Sequence, residues 1–170
     1  GRLSRCTERT VDQVMRLPLY DSVVSELNRF SGGGAVPNLT IRGEYVDFIN
    51  RSRAWLRAPL ASFLTSPPQF QLVLDVQALG RTEGVSWVLD NVSCLAPEFT
   101  KCILGLARGG TDRHVLREFD VQRKAFVPDG FSIGDERIHH VRWLDTSSVL
   151  IGSDFTRRGN PRDVRLWRRG

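Results

Sequence analysis

Residues Ser86 to Phe131, SWVLDNVSCLAPEFTKCILGLARGGTDRHVLREFDVQRKAFVPDGF, contain four short apolar runs with a turn signal between each successive pair. Trp87–Leu89, Cys102–Leu106, Val115–Phe119 and Ala125–Val127 are the strand candidates. Leu95-Ala96-Pro97, Arg108-Gly109-Gly110 and Val121-Gln122-Arg123-Lys124 are the breaks. Runs this short cannot bury a face alone, so the segment folds as one antiparallel unit and needs neighbours of the same kind.

Those neighbours are present on both sides. Asn38–Arg42 and Tyr45–Asn50 flank Arg42-Gly43-Glu44 as a hairpin, followed by Arg53–Arg57 and Phe70–Val76. Beyond the central unit come Val141–Asp145, Ser148–Asp154 and Val164–Arg168, one strand short of four. Starts near Asn38, Ser86 and His140 give a period of about fifty residues, within the range of propeller repeats. The expected fold is mainly β: a partial β-propeller of about three four-stranded antiparallel blades, preceded by short N-terminal helices. A β-sandwich has a similar strand rhythm and is the alternative architecture.

The expected organisation is a helical segment over 1–31, a Gly-rich linker over 32–37 and the partial propeller over 38–170. Its blades lie near 38–76, 86–131 and 139–170. The helices rest on Val11, Val14, Met15, Val23, Val24, Leu27 and Phe30 at three- and four-residue spacings, split by Pro18. The Gly32-Gly33-Gly34 run is not a phosphate loop. No Gly-Lys-Ser/Thr follows it, and Pro37 removes an amide donor.

Composition excludes several classes. With 41% hydrophobic and 25% charged residues over 170 positions, the chain is globular. No apolar run reaches the ~20 residues of a membrane span, so no membrane partner is expected. The net charge of +5 raises a nucleic-acid partner. The arginines are nevertheless spread over Arg51, Arg53 and Arg57, then Arg113 and Arg117, then Arg165, Arg168 and Arg169, the pattern of solvated strand faces rather than a phosphate track. Gly1 stands where Met would open a natural start, which is expected to lie upstream, so the compartment is unknown. A cytoplasmic location is preferred, with periplasmic or secreted ones left open. Of the three cysteines, Cys94 and Cys102 bracket a short loop. They read equally as one bridge or as two small thiols, and Cys6 is left over.

At this point the motifs are familiar. Trp87-Val88, Cys94-Leu95-Ala96-Pro97, Leu106-Ala107-Arg108-Gly109-Gly110, Val115-Leu116-Arg117-Glu118-Phe119-Asp120 and Ala125-Phe126-Val127-Pro128-Asp129-Gly130-Phe131 follow one another in order. The succession resembles the N-terminal propeller region of the prolyl oligopeptidase family of serine peptidases. Val141-Arg142-Trp143-Leu144-Asp145, Leu150–Phe155 and Arg165–Gly170 resemble the next blade, and Arg42–Tyr45 with Phe70–Asp75 the first. The hairpins at Phe48–Trp55 and Thr156–Pro161 are shorter than the family pattern. The resemblance implies a seven-bladed propeller capping an α/β-hydrolase domain that carries the Ser, Asp and His of the triad. That domain and short peptides are the implied partners, and no cofactor is implied.

No catalytic, cofactor or metal residue is expected within the chain. The nucleophile elbow Gly-x-Ser-x-Gly does not occur, and its nearest fragment, Gly152-Ser153-Asp154, lies within a strand. His139 and His140, with Asp135, Glu136 and Asp145 nearby, suggest a metal site, but adjacent strand residues point to opposite faces. His114, beside the Arg-Gly-Gly turn, reads as a surface residue. Asn38-Leu39-Thr40 and Asn91-Val92-Ser93 match the glycosylation pattern, and Arg108-Gly109-Gly110 is a plain hairpin turn. The expected function is the non-catalytic propeller segment of a prolyl-oligopeptidase-like peptidase, gating peptide access. The alternative is a stand-alone propeller that binds partners without peptidase activity.

Overall fold

The computed structural model describes residues 39–50, 54–62, 68–109, 111, 113–137 and 139–169. The two N-terminal helices and the Gly-rich linker expected before Asn38 lie outside these residues. The chain forms two compact units, Gly1–Leu72 and Val73–Gly170. Twelve strands in three antiparallel sheets and a helix of eight residues are present among the described residues, and no helix there is long and apolar enough to cross a membrane.

The first sheet runs in the order β1 (Leu39–Arg42), β2 (Tyr45–Ile49), β3 (Ala54–Pro59), β4 (Gln71–Asp75), with β4 crossing the division between the units. Gly43, at φ 58°, opens the two-residue turn between β1 and β2, a conformation that a side chain would strain. Alternation along β2 and β3 buries Val46 and Phe48 opposite Ala58 and Leu56. The opposite face is buried as well, and here the expectation of solvated strand charges fails. Asp47 and Arg57 lie opposite each other at 3% and 7% exposure. Arg57 donates through Nε and Nη2 at 2.6 and 2.9 Å, and Arg42 Nη1 adds a third bond at 2.9 Å. Tyr45 and Trp55 stack against the Arg57 guanidinium, so a delocalised cation with a planar fork is accommodated between aromatic faces.

In the second unit, helix α1 (Val76–Glu83) was missed in the sequence, where Phe70–Val76 reads as one strand. Asp75 ends β4 and caps the helix, its Oδ1 accepting from the Ala78 N–H at 2.9 Å. Gly84, at φ 67°, closes it.

The second sheet comprises β5 (Trp87–Cys94), β6 (Lys101–Arg108), β7 (His114–Asp120), β8 (Ala125–Phe126) and β9 (Ser132–Arg137). Strand β6 is buried on both faces from Cys102 to Ala107, as suits a central strand. Cys94 and Cys102 are directly opposite in the register and joined by a disulfide, so the bridge is the realised alternative.

The fourth lane departs from the expected four strands. Phe126 and Ala125 pair with Phe119 and Asp120, whereas Ser132 and Ile133 pair with Arg117 and Leu116. Strands β8 and β9 are therefore one strand interrupted opposite Glu118. The Glu118 N–H donates to Phe131 O at 2.9 Å, and its carbonyl accepts from the Val127 N–H at 3.0 Å, so both chain ends of the excursion are held. Gly130 lies against the Glu118 side chain, where a Cβ would meet Cβ and Oε2 at 2.8 Å.

The third sheet contains β10 (His140–Asp145), β11 (Ser148–Phe155) and β12 (Pro161–Arg168). It packs on the second through Ile103, Leu116, Phe131, Val141, Val149 and Ile151, with Ile133, Trp143 and Trp167 at the margin. Each buried aliphatic side chain of this kind contributes roughly 1.5–3 kcal/mol. Phe131, delivered by the interruption of the outer strand, has the rings of Trp143 and Trp167 edge-on at 5.5 and 5.4 Å.

Candidate functional site

The groups of chemical interest in the second unit lie where its two sheets meet. Residues at 114, 116 and 118 of β7 share the face turned to the third sheet, because alternate strand residues point the same way. That places His114, Leu116 and Glu118 in one row, with Ile103 and Gly105 beside them.

At one end of the row, Glu118 is buried and accepts the Phe131 N–H at 2.9 Å. Arg169, immediately after β12, reaches it with Nη2 at 2.9 and 2.7 Å to the two carboxylate oxygens. The guanidinium also covers the Phe131 ring at 4.8 Å. Trp143 Nε1 donates to Ser93 O at 2.9 Å, a second polar tie between the sheets. These contacts fix the relative position of the sheets, since each needs a partner from both.

At the other end, the structure corrects the surface assignment of His114, which is 3% exposed. Its Nε2 is 2.9 Å from the carbonyl of His139, and the two rings meet edge-on at 6.2 Å. Gly105 makes the room: a Cβ there would sit 3.1 Å from the His114 ring and 3.2 Å from Asn91 Cβ. His114 Nδ1 faces Asp90 Oδ2 at 3.5 Å.

His139 precedes β10, which His140 opens. His139 is buried, while His140 is exposed and packs on Phe155 at 4.4 Å. Asp145 is at the far end of β10, its carboxylate accepting the Ser147 N–H and Oγ–H at 2.7 and 2.8 Å. Those two bonds and further ones from Ser148 hold its pKa below the usual carboxylate range. Among the described residues no three His, Cys, Asp or Glu side chains converge on a metal-sized site.

A cleft of about 330 Å³ opens between the sheets, lined by Ile133, His139, Ile151, Ser153, Arg165 and Trp167 among others. Ser153, His139 and Asp163 are the residue types of a hydrolytic triad, but their arrangement is a different one. The Ser153 hydroxyl lies 3.5 Å from Asp163 Oδ2, and that carboxylate is held by Arg165 Nε at 2.7 Å rather than orienting an imidazole. The serine stands mid-strand, without the sharp strand-to-helix turn that exposes a nucleophile. Asn91 and Ser93 lie on β5 within the sheet, and Gly109, at φ 60°, follows the end of β6, while Gly110 of the expected turn lies outside the described residues.

Comparison with known proteins bears on what such a face belongs to. No family model matches the chain. It is 30% identical over 152 residues to an uncharacterized peptidase of Sinorhizobium fredii, covering 89% of this chain and 20% of that protein. It is 21% identical over 138 residues to an uncharacterized peptidase of Rickettsia prowazekii, covering 74% and 19%. The chain thus spans about a fifth of the length of these curated relatives. Among solved structures, a post-proline cleaving enzyme from Rickettsia typhi superposes with a TM-score of 0.67 at 20% identity, covering all of this chain and 28% of that one. Oligopeptidase B from Leishmania major does so with a TM-score of 0.54 at 13% identity, covering 78% and 19%. Ordered motifs, sequence relatives and fold agree: the chain is similar in sequence to these peptidases over about a fifth of their length and shares the fold of part of the post-proline cleaving enzyme and of oligopeptidase B, as the resemblance to the prolyl oligopeptidase family implies.

Proposed function

We propose that this chain is the non-catalytic propeller segment of a prolyl-oligopeptidase-like serine peptidase, its three sheets being successive blades. In this reading the blades wall off a hydrolase domain and admit short or unfolded peptides. The triad residues lie outside residues 1–170, and the hydrolase domain and peptide substrates are the segment's partners. An enclosed site of this kind favours acyl transfer by excluding bulk water from developing charge.

The observation that carries the reading is the lateral packing of consecutive sheets. The second and third present matching faces to each other, with strands in the same sequential order. Successive antiparallel sheets packed face to face are what neighbouring blades require, and this supports the propeller reading. The relatives' far greater length leaves room for the remaining blades and a catalytic domain.

The test uses the parent protein encoded by the reading frame that contains this segment. It is expected to carry Gly-x-Ser-x-Gly and then Asp and His after the segment, and to hydrolyse short fluorogenic peptides. Deleting residues 39–169 should relax its exclusion of folded protein substrates. A frame without that motif, or a parent equally active on folded casein-sized proteins and peptides, overturns the proposal.

A further inference from the structure

Arginines that lie scattered along the sequence are gathered by the topology at one end of the second unit. The hairpin joining β6 to β7 carries Arg108 and Arg113. The hairpin joining β11 to β12 carries Arg157 and Arg158, with Arg162 just beyond it on β12. A chain of contacts places the two hairpins at the same end. His114, the first residue of β7, meets His139, whose neighbour His140 packs on Phe155 at the end of β11. All five arginines are exposed. The carboxylates at this end of the described residues are Asp154, exposed near the end of β11, and Asp163, which is held by Arg165 at 2.7 Å. Asp112, between Arg108 and Arg113, lies outside the described residues. The opposite end is balanced: Lys101, Arg123 and Lys124 are matched there by Glu98, Asp120 and Asp145, with Arg123 3.8 Å from Asp120.

We propose that this end of the two sheets binds acidic peptides, engaging carboxylates spaced three residues apart in an extended chain. Packed sheets lie about 10 Å apart and an extended residue spans about 3.3 Å, so carboxylates at that spacing reach both hairpins. Guanidinium forks take carboxylates through paired N–H donors. Both hairpins are held in place. The Thr111 N–H donates to Arg108 O and its hydroxyl to Arg113 O, each at 3.2 Å. The Thr156 N–H donates to Asn160 O at 2.8 Å, and the Asn160 N–H returns to Thr156 Oγ1 at 3.2 Å. Cations carried on fixed tips lose less freedom on binding than cations on loose ones. Nucleic acid fits less well, because its phosphates form a continuous line of charge that Asp154 interrupts. The surface rests on the peptidase reading for what the peptide is: a substrate drawn to the segment by its charge before cleavage, with acidic peptides favoured.

The probe is an end-blocked seven-residue peptide with Glu at the first, fourth and seventh positions and Thr between them, labelled with a zwitterionic rhodamine and titrated into the full chain by fluorescence anisotropy. The same peptide with Lys for Glu should bind at least about tenfold more weakly. Raising salt from about 10 to about 150 mM cuts the screening length from about 30 to about 8 Å and should weaken the Glu peptide by a similar factor. R157E/R158E should lose about tenfold in affinity, whereas R123E/K124E, the same charge change at the opposite end, should lose less than about threefold. Circular dichroism checks each fold, and R157Q/R158Q decides if the reversed variant does not fold. Equal losses at the two ends would reduce the effect to net charge and overturn the site. Tighter binding of a thymidine tetranucleotide carrying the same three charges would overturn it in favour of nucleic acid, and absence of binding would remove it outright. In the parent protein, R157E/R158E should lower kcat/KM for Glu-bearing fluorogenic peptides and not for Lys-bearing ones; an unmoved ratio would remove the substrate role. A chain that binds the peptide as expected and a parent that hydrolyses no peptide would overturn the peptidase reading and leave the binding surface standing.

Discussion

Replacing Arg169 by alanine tests whether the second and third sheets are held by charge as well as by packing. In the native chain Arg169 supplies both short bonds to the Glu118 carboxylate, whose side chain is 2% exposed, and covers the Phe131 ring. Arg169→Ala leaves that carboxylate with the Phe131 N–H alone. Breaking a fully buried pair on one side costs about 3–5 kcal/mol. The Arg169 side chain is 35% exposed, so water enters when it is removed and screening is already present. The discounted expectation is about 2–3 kcal/mol. At roughly 2–4 °C per kcal/mol for a chain of this length, the midpoint of thermal unfolding should fall by about 4–12 °C. Glu118→Gln keeps an acceptor for the Phe131 N–H and leaves no buried charge, so it should cost only about 1 kcal/mol. The double variant should be no less stable than Arg169→Ala, giving a coupling of about 1 kcal/mol or more in a double-mutant cycle. Urea melts of the four proteins measure all of these quantities. Additive effects, or an Arg169→Ala cost below about 0.5 kcal/mol, would show that the pair is ornamental and that apolar packing alone sets the sheets.

Three other perturbations follow from the same face and its surroundings. Gly130→Ala pushes a Cβ to 2.8 Å from Glu118 and 2.9 Å from Val127 Cβ, and should destabilise by about 1–3 kcal/mol in the same melts; a neutral result would mean that the excursion is slack. Removing the Cys94–Cys102 bridge with dithiothreitol or Cys102→Ser should cost about 2–3 kcal/mol for a loop of this length, and superimposable melts with and without reductant would refute the bridge. The Glu83 pKa is set by burial, which raises it, and by the larger sum of the Arg117 and Trp87 hydrogen bonds and the Arg117 charge, which bring it below the usual carboxylate value. A depressed folded value means that the stabilisation is present above the unfolded value and is lost as pH falls through the folded one. The Trp87 indole N–H resonance should accordingly titrate below pH 4.5 and stay flat in Glu83→Gln; a flat native trace would refute the contact.

The strands were legible because their signals are local. Gly43 and Gly109 mark turns, and short apolar runs between turn signals pick out β2, β6 and β7. What escaped the sequence depends on distant partners. His114 reads as a surface residue because nothing near it in the chain announces Gly105 below it or the His139 carbonyl 25 residues away. Arg57 reads as solvated until Asp47, Tyr45 and Trp55 are assembled around it. Helix α1 was legible in principle. Asp75 and Gly84 are ordinary start and stop residues, but the apolar run Leu72-Val73-Leu74 masked them by continuing into Val76. The broken fourth lane was half visible: Pro128-Asp129-Gly130 is a turn signal, and only the pairing of Ser132 with Arg117 shows that the same lane resumes beyond it.

The separation of 51 positions between Glu118 and its guanidinium also imposes an order on biosynthesis. At translation rates of about 5–20 residues per second, roughly 3–10 s separate the two on a ribosome. Once Arg137 has emerged, the second sheet has all its strands but an acidic group with no counter-charge, which should face solvent and keep the inner surface open. Arg169, emerging later, would let that surface shut. Nascent chains halted short of Arg169 should be cleaved near Glu118 by a protease that spares chains halted well beyond it, and equal cleavage of both would show that the sheet closes without waiting.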